Sequence, residues 1–414
     1  MRGDEAAALP TLQPARVNSG DEPTESWGRW LASVVVIDFL IGFALLWDRY
    51  ELPVIGQPAG VPIMALAVGV GAARRPLHRV RRLGWVLGAF AFMLVWAIVV
   101  SHLNGLDWLQ RSTKMVVLLA FALTIAVGRL HLRSLLQGLT IAMVLNIPLF
   151  YAGLTPNNYP PFLTGFFGDK NIAGMMYAVI GVLGLLLHRH WPAKIAHVLV
   201  FGAALTLTGS RTSMAAFAVG LLWLWVRNAA PLVIRAGVAV GVVALLTTIE
   251  EQFARIWFFR DRDGTDWFRE QIDIATAAKL ELSPWFGNGL NTAFVQMGQR
   301  FMYFHDSYAS LRVEGGWVMV VVVLGLFVLV GMHALNPRRA TAEQVVTEAA
   351  IAVVLVCAWK LGEVFFTTPA FLVLGVAMLV HQTTRIPVND PFAAWRVIDP
   401  VVGSQRLSHE GLAV

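Results

Sequence analysis

Long apolar runs alternate along this chain with short polar or basic segments. Each run is close to the roughly 20 residues that a helix needs to cross the hydrocarbon layer of a bilayer. The pattern therefore predicts an all-α polytopic membrane protein with about 12 transmembrane helices. We expect these spans near residues 30–47, 54–73, 84–103, 113–128, 135–153, 172–188, 192–209, 212–226, 229–248, 316–335, 348–364 and 369–382.

The basic residues predict how the chain is oriented. Lys and Arg accumulate in cytoplasmic loops, and the loop at 74–82 holds five arginines. Alternation puts both termini and four further basic segments on that side: 129–133, 189–194, 227–235 and 338–339. The opposite side receives the segments in which we expect chemistry: 104–112, 154–171, 209–211 and 249–315.

These features predict five parts of the chain. They are a polar cytoplasmic tail at 1–28, transmembrane helices 1–9 at 29–248, a large helical loop domain at 249–315, transmembrane helices 10–12 at 316–384 and a second cytoplasmic tail at 385–414.

The loop domain contains the pattern of an amphipathic helix. Thr265 or Asp266 is expected to cap it, and Phe268, Ile272 and Ala275 share one face. The segment from Pro284 to the glycines at 287 and 289 is expected to end it.

Composition agrees with a membrane protein and narrows its chemistry. Hydrophobic residues make up 57% of the chain and charged residues 14%, a balance that soluble domains do not reach. The loop arginines explain the net charge of +6, so nucleic-acid binding is not expected. Cys357 is the only cysteine, which excludes an intrachain disulfide and a thiolate metal cluster. No metal or phosphate-loop motif occurs, so we expect no cofactor and metal-independent chemistry.

Several arginines lie on the non-cytoplasmic side, where positive charge is disfavoured. Arg211 stands in a short corner between two apolar runs, and Arg255 and Arg269 lie in the long loop. Convergent guanidinium groups bind phosphates through paired hydrogen bonds, so a diphosphate would fit them. The alternatives are an interfacial Arg211 that extends to lipid phosphates and ordinary surface salt bridges for the loop arginines.

His305 directly precedes an apolar run, at the non-cytoplasmic mouth of the membrane. An imidazole with a pKa of about 6.5 suits a general base at neutral pH, although a lone interfacial His is also a common anchor. Arg312 would share its face if a helix began at His305, and Glu314 and Gly316 follow in the same segment.

Lys170 and Asn171 add a cation and an amide on the same side of the membrane. They are either part of the site or exposed neighbours of a helix that starts at Asp169.

Ionisable residues also occur inside the predicted spans. Lys360 and Glu363 are one helical turn apart, so they are either functional or a mutual ion pair. Asp38 lies in the first span, and no partner for it is evident from the sequence.

Four segments occur in the order that is typical of a known bacterial membrane family. They read GDKNIAG from 168, GSRTS from 209, SPWFGNG from 283 after a helix that carries Arg269, and HDSYASLRVEGG from 305. Together they resemble the O-antigen ligase and polymerase family of inner-membrane glycosyltransferases over about residues 160–320. Glu314 and Gly316 keep the spacing of the family pattern, while Asp306 stands where the family has Asn or Ser.

The resemblance implies a GT-C-like fold in the bacterial inner membrane with its active site facing the periplasm. Arg211 and Arg269 match the residues that would bind the diphosphate of an undecaprenyl-linked O-antigen glycan. His305 matches the residue that would act on a sugar hydroxyl of lipid A-core. The implied function is an inverting O-antigen ligase of lipopolysaccharide biosynthesis. From their positions in the sequence, we expect supporting roles for Lys170, Asn171, Arg255, Arg312, Glu314 and Gly316.

Three alternatives stay open. An O-antigen polymerase or a protein O-oligosaccharyltransferase of the same family uses the same donor with another acceptor. A lipid-linked glycan transporter or flippase would place broken helices and polar sites near the bilayer midplane in two related halves. A membrane scaffold would leave the arginines on the non-cytoplasmic side unexplained.

Overall fold

The computed structural model describes residues 35–52, 57–78, 83–231, 233–235, 237–238, 241, 263–332 and 340–383. Helices dominate these residues. They are α1 Val36–Ala44, α2 Gly60–Ala72, α3 Gly84–Leu103, α4 Leu109–Ala126, α5 Leu132–Tyr151, α6 Lys170–Leu183, α7 Trp191–Thr208, α8 Arg211–Ala229, α9 Asp263–Leu282, α10 Ser307–Gly325, α11 Ala342–Cys357 and α12 Thr368–Thr383. Short 3₁₀ turns extend α1 through Leu45–Trp47 and α6 through Gly184–Leu187, and a π-helical turn at Leu326–Gly331 extends α10.

Six helical segments in the described part of the chain are long and apolar enough to cross a membrane. They are Gly84–Leu103, Leu109–Ala126, Leu132–Tyr151, Lys170–Leu187, Trp191–Thr208 and Ser307–Gly331. Three shorter apolar segments accompany them, at Val36–Trp47, Gly60–Ala72 and Thr368–Gln382. The prediction of a helical, membrane-embedded protein is therefore confirmed in this coarse form. The predicted number of spans stays a prediction, and most of the ninth, at 229–248, lies outside the described residues.

Helices α1 and α5 pack closely because a glycine of each helix lies against the backbone of the other. A Cβ atom at Gly42 would overlap the carbonyl of Leu135, and one at Gly138 would overlap the carbonyl of Phe39. Membrane helices that associate through small residues bring their backbones close and gain van der Waals contact. Helices α4, α6, α11 and α12 supply much of the buried apolar core against which the others pack.

Asp38 has a structural explanation. Its carboxylate accepts two hydrogen bonds from Nη1 of Arg74, at 2.8 and 2.7 Å, and one from the backbone N–H of His131, at 2.9 Å. These groups meet where α1 begins, α2 ends and α5 begins. A buried carboxylate needs such partners, since an unpaired charge there would be strongly destabilising.

The prediction of an all-α fold needs a correction, because two short antiparallel hairpins accompany the helices. Strand β1 (Glu51–Leu52) pairs with β2 (Gln57–Pro58), and β3 (Phe294–Met297) pairs with β4 (Arg300–Tyr303). The second turn starts at Gly298 with φ of +62°, as in the two-residue turns that favour glycine first. Strands this short carry little periodic signal, which explains why the hydropathy pattern did not predict them.

The helix of the predicted loop domain is present as α9, with small differences. It begins at Asp263, slightly before the expected cap at Thr265 or Asp266, and ends at Leu282. Its predicted apolar face is confirmed, because Phe268, Ile272 and Ala275 pack in one cluster, which also contains Val295 of β3 and Val313 of α10. Helix α10 begins at Ser307, inside the segment that was assigned to the loop domain.

Helix α10 is broken at Gly316, which has φ of +65° and ψ of −160°. The segment 283–289 crosses the break and bonds to it on both sides. The backbone N–H of Asn288 donates to the carbonyl of Val313 at 2.7 Å, and that of Gly289 to the carbonyl of Glu314 at 2.9 Å. Beyond the break, the N–H of Trp317 donates to the carbonyl of Trp285 at 2.9 Å. The family-like segments SPWFGNG and EGG are therefore two halves of one packing unit.

Gly316→Ala is expected to destabilise the fold. A Cβ atom would meet the backbone of Trp285 and Phe286, and L-residues are strained at this φ. We expect a loss of more than about 1 kcal/mol in the free energy of unfolding, measured by thermal denaturation in detergent micelles. Gly325→Ala in the same helix is the matched control, because nothing lies within 4 Å of its Cβ position. Equal melting temperatures for the two variants would contradict the role of the break.

Candidate functional site

His305 is held by its backbone immediately before α10. Its carbonyl accepts a hydrogen bond from the N–H of Gly362 at 2.8 Å, and the N–H of Ser307 donates to the carbonyl of Ala358 at 2.8 Å. The Ser307 hydroxyl donates to the carbonyl of Gly362 and accepts from the N–H of Val364 at 2.9 Å. The turn at 358–364, between α11 and α12, therefore fixes the position of the half-buried imidazole.

Asp306 is the N-cap of α10. Its carboxylate accepts from the N–H of Tyr308 at 2.8 Å and from that of Ala309 at 3.3 Å. Because the first turn of a helix leaves backbone N–H groups without partners, Asp, Asn and Ser can all accept hydrogen bonds from them at this position. Asp306 therefore starts α10 as an Asn or Ser at this position would.

Arg269 of α9 acts on the imidazole of His305. Burial lowers the pKa of His305, and the charge of Arg269 lowers it further, as does that of Lys360. Asp273 and Asp169 act in the opposite direction. Four charged groups from three separate segments therefore surround one imidazole, which is half-buried at the end of the helix bundle.

Lys360 and Asp273 connect the 358–364 turn to α9. The ammonium group of Lys360 lies 3.1 Å from Oδ2 of Asp273. Asp273 lies one helical turn after Arg269, so this ion pair docks α9 beside His305. Lys360 and Glu363 are not one helical turn apart as predicted, because α11 ends at Cys357 and both residues lie in the turn that follows. The described partners of Glu363 are Arg111 and Lys114.

Tyr159 is a site residue that the sequence did not single out. Burial raises the pKa of Tyr159, the nearby carboxylate of Asp169 raises it further, and the charge of Arg269 opposes this rise. Asp169 also caps α6, accepting from the N–H groups of Asn171 at 2.8 Å and Ile172 at 3.1 Å. The helix start at Asp169 is confirmed.

The corner that carries Arg211 packs on the start of α6. The Ser210 hydroxyl lies 2.8 Å from that of Ser213 and 3.5 Å from Oδ1 of Asn171. The ammonium group of Lys170 lies 5.0 Å above the ring of Phe162. Arg211, Lys170 and Asn171 therefore belong to one neighbourhood at the ends of α6 and α8.

Contacts link this corner to the histidine. Helix α8, which begins at Arg211, packs along α11, which ends at Cys357, directly before the turn on which His305 is fixed. Asp169, which precedes Lys170, acts on the pKa of His305. The four family-like segments thus meet at one end of the described helices, although long stretches of chain separate them.

Arg111 and Lys114 are charged residues that the sequence analysis missed. Arg111 donates from Nε and Nη2 to Oε2 of Glu314, at 3.0 and 2.7 Å, and its Nη1 lies 3.0 Å from Oε1 of Glu363. Lys114 lies 3.3 Å from Oε2 of Glu363. Burial acts to raise the pKa of Glu363, but Arg111, Lys114 and Arg49 together lower it to about 2. Both cations lie at the end of α4 that is predicted to be non-cytoplasmic. Cations are disfavoured on that side, so their position could have identified them from the sequence.

Three of the predicted supporting residues make packing contacts. Arg312 donates to the carbonyls of Pro284 at 2.6 Å and Ser283 at 3.2 Å. Glu314 is buried against Arg111, and Gly316 forms the break in α10. Helix α10 begins after His305, so Arg312 does not share a helical face with it.

Arg255, the remaining predicted supporting residue, lies outside the described residues. Within the described part of the chain, no three or more His, Cys, Asp and Glu side chains are grouped so as to hold a metal ion. Metal independence stays a prediction.

Comparison of the chain with models of known protein families finds no matching family, and comparison with curated proteins finds no significant match. The resemblance described above therefore rests on the four segments themselves.

Removal of the charge of Arg269 is expected to raise the pKa of His305, because a neighbouring cation disfavours the imidazolium form. The measurement is the pH dependence of carbethoxylation of His305 in detergent-solubilised protein, followed by mass spectrometry of its peptide. In Arg269→Gln the midpoint should move to higher pH, and in Arg269→Lys, which keeps the charge, it should stay. A midpoint that is unchanged in Arg269→Gln would show that the guanidinium does not act on the imidazole.

Proposed function

We propose that this protein is an O-antigen ligase-type glycosyltransferase of a bacterial inner membrane. It transfers an undecaprenyl-diphosphate-linked O-antigen glycan to a sugar hydroxyl of lipid A-core, with a periplasmic site, about 12 spans and cytoplasmic termini. One observation carries the proposal: the ion pair between Lys360 and Asp273 docks α9, which carries Arg269, on the turn that fixes His305, and the charge of Arg269 lowers the pKa of that imidazole.

The proposed reaction is a single displacement at the sugar C1 of the donor. The acceptor oxygen forms a bond to C1 while the bond from C1 to the diphosphate oxygen breaks. The hydroxyl proton passes to His305, and the electron pair leaves with undecaprenyl diphosphate. Attack from the face opposite the leaving group inverts the configuration at C1.

His305 is suited to receive the proton. Burial and Arg269 keep its pKa below the ordinary value, so the imidazole is neutral at pH 7 and has a free lone pair. A bound diphosphate would partly neutralise Arg269 and thereby raise the basicity of the imidazole. The base would then be strongest when the donor is in place.

Arg211 and Arg269 are proposed to stabilise the leaving group. A glycosyl diphosphate already has a good leaving group, and its departure mainly requires that the developing negative charge be neutralised. Fixed guanidinium groups do this through paired, charge-assisted hydrogen bonds. Lys170 lies beside the same corner and adds positive charge.

The test is a transfer assay with purified protein, an undecaprenyl-diphosphate oligosaccharide and lipid A-core in a metal-chelating buffer. A gel shift of lipid A-core would support the ligase. Elongation of the donor chain without that shift would identify a polymerase, and absence of both products would overturn glycan transfer to either acceptor.

His305→Ala is expected to lower the transfer rate by a factor of about 10²–10⁴, the usual contribution of a general base. His190→Ala is the matched control, because His190 is exposed between α6 and α7, near the opposite helix ends. Both variants should accumulate in the membrane at wild-type levels. Full activity of His305→Ala would remove this residue from the mechanism.

Arg211→Lys is expected to lower the rate on the order of 10²-fold, because an ammonium group cannot form the paired hydrogen bonds of a guanidinium group. The assay is the same, with Arg300→Lys as the control at an exposed position of β4. Equal rates for the two variants would show that a point charge at position 211 is sufficient.

A further inference from the structure

Residues 283–289 form a turn at an unusual depth along two candidate membrane spans. The indole N–H of Trp96 donates to the carbonyls of Phe286 at 3.3 Å and Gly315 at 3.2 Å. At 1.5 Å per residue, Trp96 lies about 10 Å inside the end of α3 at Leu103. By the same measure Gly315 lies about 12 Å from the start of α10 at Ser307.

We propose that this segment is a re-entrant aromatic turn, which enters the hydrocarbon layer beside α3 and α10 and contacts lipid acyl chains through Trp285 and Phe286. The two helices are independent measures of its depth, and they agree. The proposal does not depend on glycan transfer, since it concerns how the chain meets the bilayer.

The surface of the turn continues the outward-facing surface of the two spans. Trp285 is 60% exposed, Phe92 of α3 is 58% exposed and Trp317 of α10 is 56% exposed. The rings of Trp96 and Trp285 are 5.7 Å apart between centroids, and those of Phe92 and Trp96 are 6.4 Å apart. One aromatic surface therefore runs from α3 onto the turn.

The backbone of the turn is bonded in the way that this environment requires. Irregular backbone is tolerated at membrane depth only where other parts of the protein satisfy its polar groups. The carbonyls of Ser283 and Pro284 accept from Arg312, and that of Phe286 accepts from Trp96. The N–H groups of Asn288 and Gly289 donate to carbonyls of α10 just before its break.

The turn also fits closely against the break in α10. A Cβ atom at Gly287 would lie 2.6 Å from the N atom of Gly316 and from the carbonyl oxygen of Glu314. The guanidinium group of Arg312 lies 5.3 Å from the ring centre of Trp317 while it bonds the carbonyls of the turn. The attraction between this cation and the aromatic ring adds to the hydrogen bonds that hold the turn.

The experiment measures the depth of spin labels in liposomes. In a Cys357→Ala background, single cysteines are introduced by Trp285→Cys, by Phe286→Cys, by Phe92→Cys as the span reference and by Gln299→Cys as the reference in the exposed hairpin turn. Each is labelled with a nitroxide, and its accessibility to oxygen and to a water-soluble nickel chelate is measured by power saturation.

We expect labels at positions 285 and 286 to be as inaccessible to the nickel chelate as the label at position 92, severalfold less accessible than the label at position 299. Their accessibility to oxygen should be high. Nickel accessibility equal to that of position 299 would overturn the proposal, because the turn would then lie in water. Low accessibility to both reagents would overturn it as well, because a protein surface rather than lipid would cover the turn.

If the cysteine variants do not fold, Trp285→Phe provides a second test. Lipids that carry bromine on the acyl chains at the depth of the turn quench nearby tryptophans. They should quench a smaller fraction of the tryptophan fluorescence in Trp285→Phe than in the wild type. Equal quenching would place Trp285 away from the acyl chains.

Discussion

The hydrogen bonds across the break in α10 are the interaction on which the rest of this structure depends. Backbone groups that lie at membrane depth must find partners inside the protein. Gly316 interrupts the helix, and the N–H groups of Asn288 and Gly289 take up the carbonyls of Val313 and Glu314. This arrangement ties the end of the α9 segment to α10. It thereby brings Arg269 and His305, which belong to those two segments, to the same end of the helices.

Two groups of charges at that end have different surroundings. Arg111 and Lys114 lie against Glu314 and Glu363, so this cluster is internally compensated and braces α4 against α10 and the 358–364 turn. Breaking such a buried pair is costly, because the remaining charge loses its partner. The second group surrounds His305, where Arg269 and Lys360 oppose Asp169 and Asp273. Its balance of charges acts on a titratable group, which is the property expected of a functional site.

The turn at 358–364 connects both groups. Its backbone fixes His305 and Ser307, its Lys360 docks α9, and its Glu363 receives the cations of α4. Helical spacing would place Lys360 and Glu363 one turn apart, but α11 ends at Cys357, so that spacing does not apply to them. Local spacing failed here because the partners come from α4 and α9, which are remote in the sequence.

Much of the candidate site could be inferred from the sequence, since Arg211, Arg269, His305, Lys170 and Asn171 all lie at the expected end of the helices. Tyr159 could not be inferred, because nothing in the sequence distinguishes it from other aromatic residues in polar loops. Only the folded chain brings the charges of Asp169 and Arg269 near it. Arg111 was missed for a related reason. It lies on the side where cations are disfavoured, but only its contacts with Glu314 and Glu363 distinguish it from an ordinary interfacial arginine.

The sequence by itself determined that this is a helical membrane protein, where most of its helices lie and which end carries the unusual cations. Hydrophobic length and charge distribution are local properties, and the bilayer imposes them directly on the sequence. Only the tertiary structure decided the break in α10, the partners of Asp38, Glu314, Lys360 and Glu363, and the charges that surround His305. Those depend on contacts between segments far apart in the chain, and no local pattern encodes the distance between them.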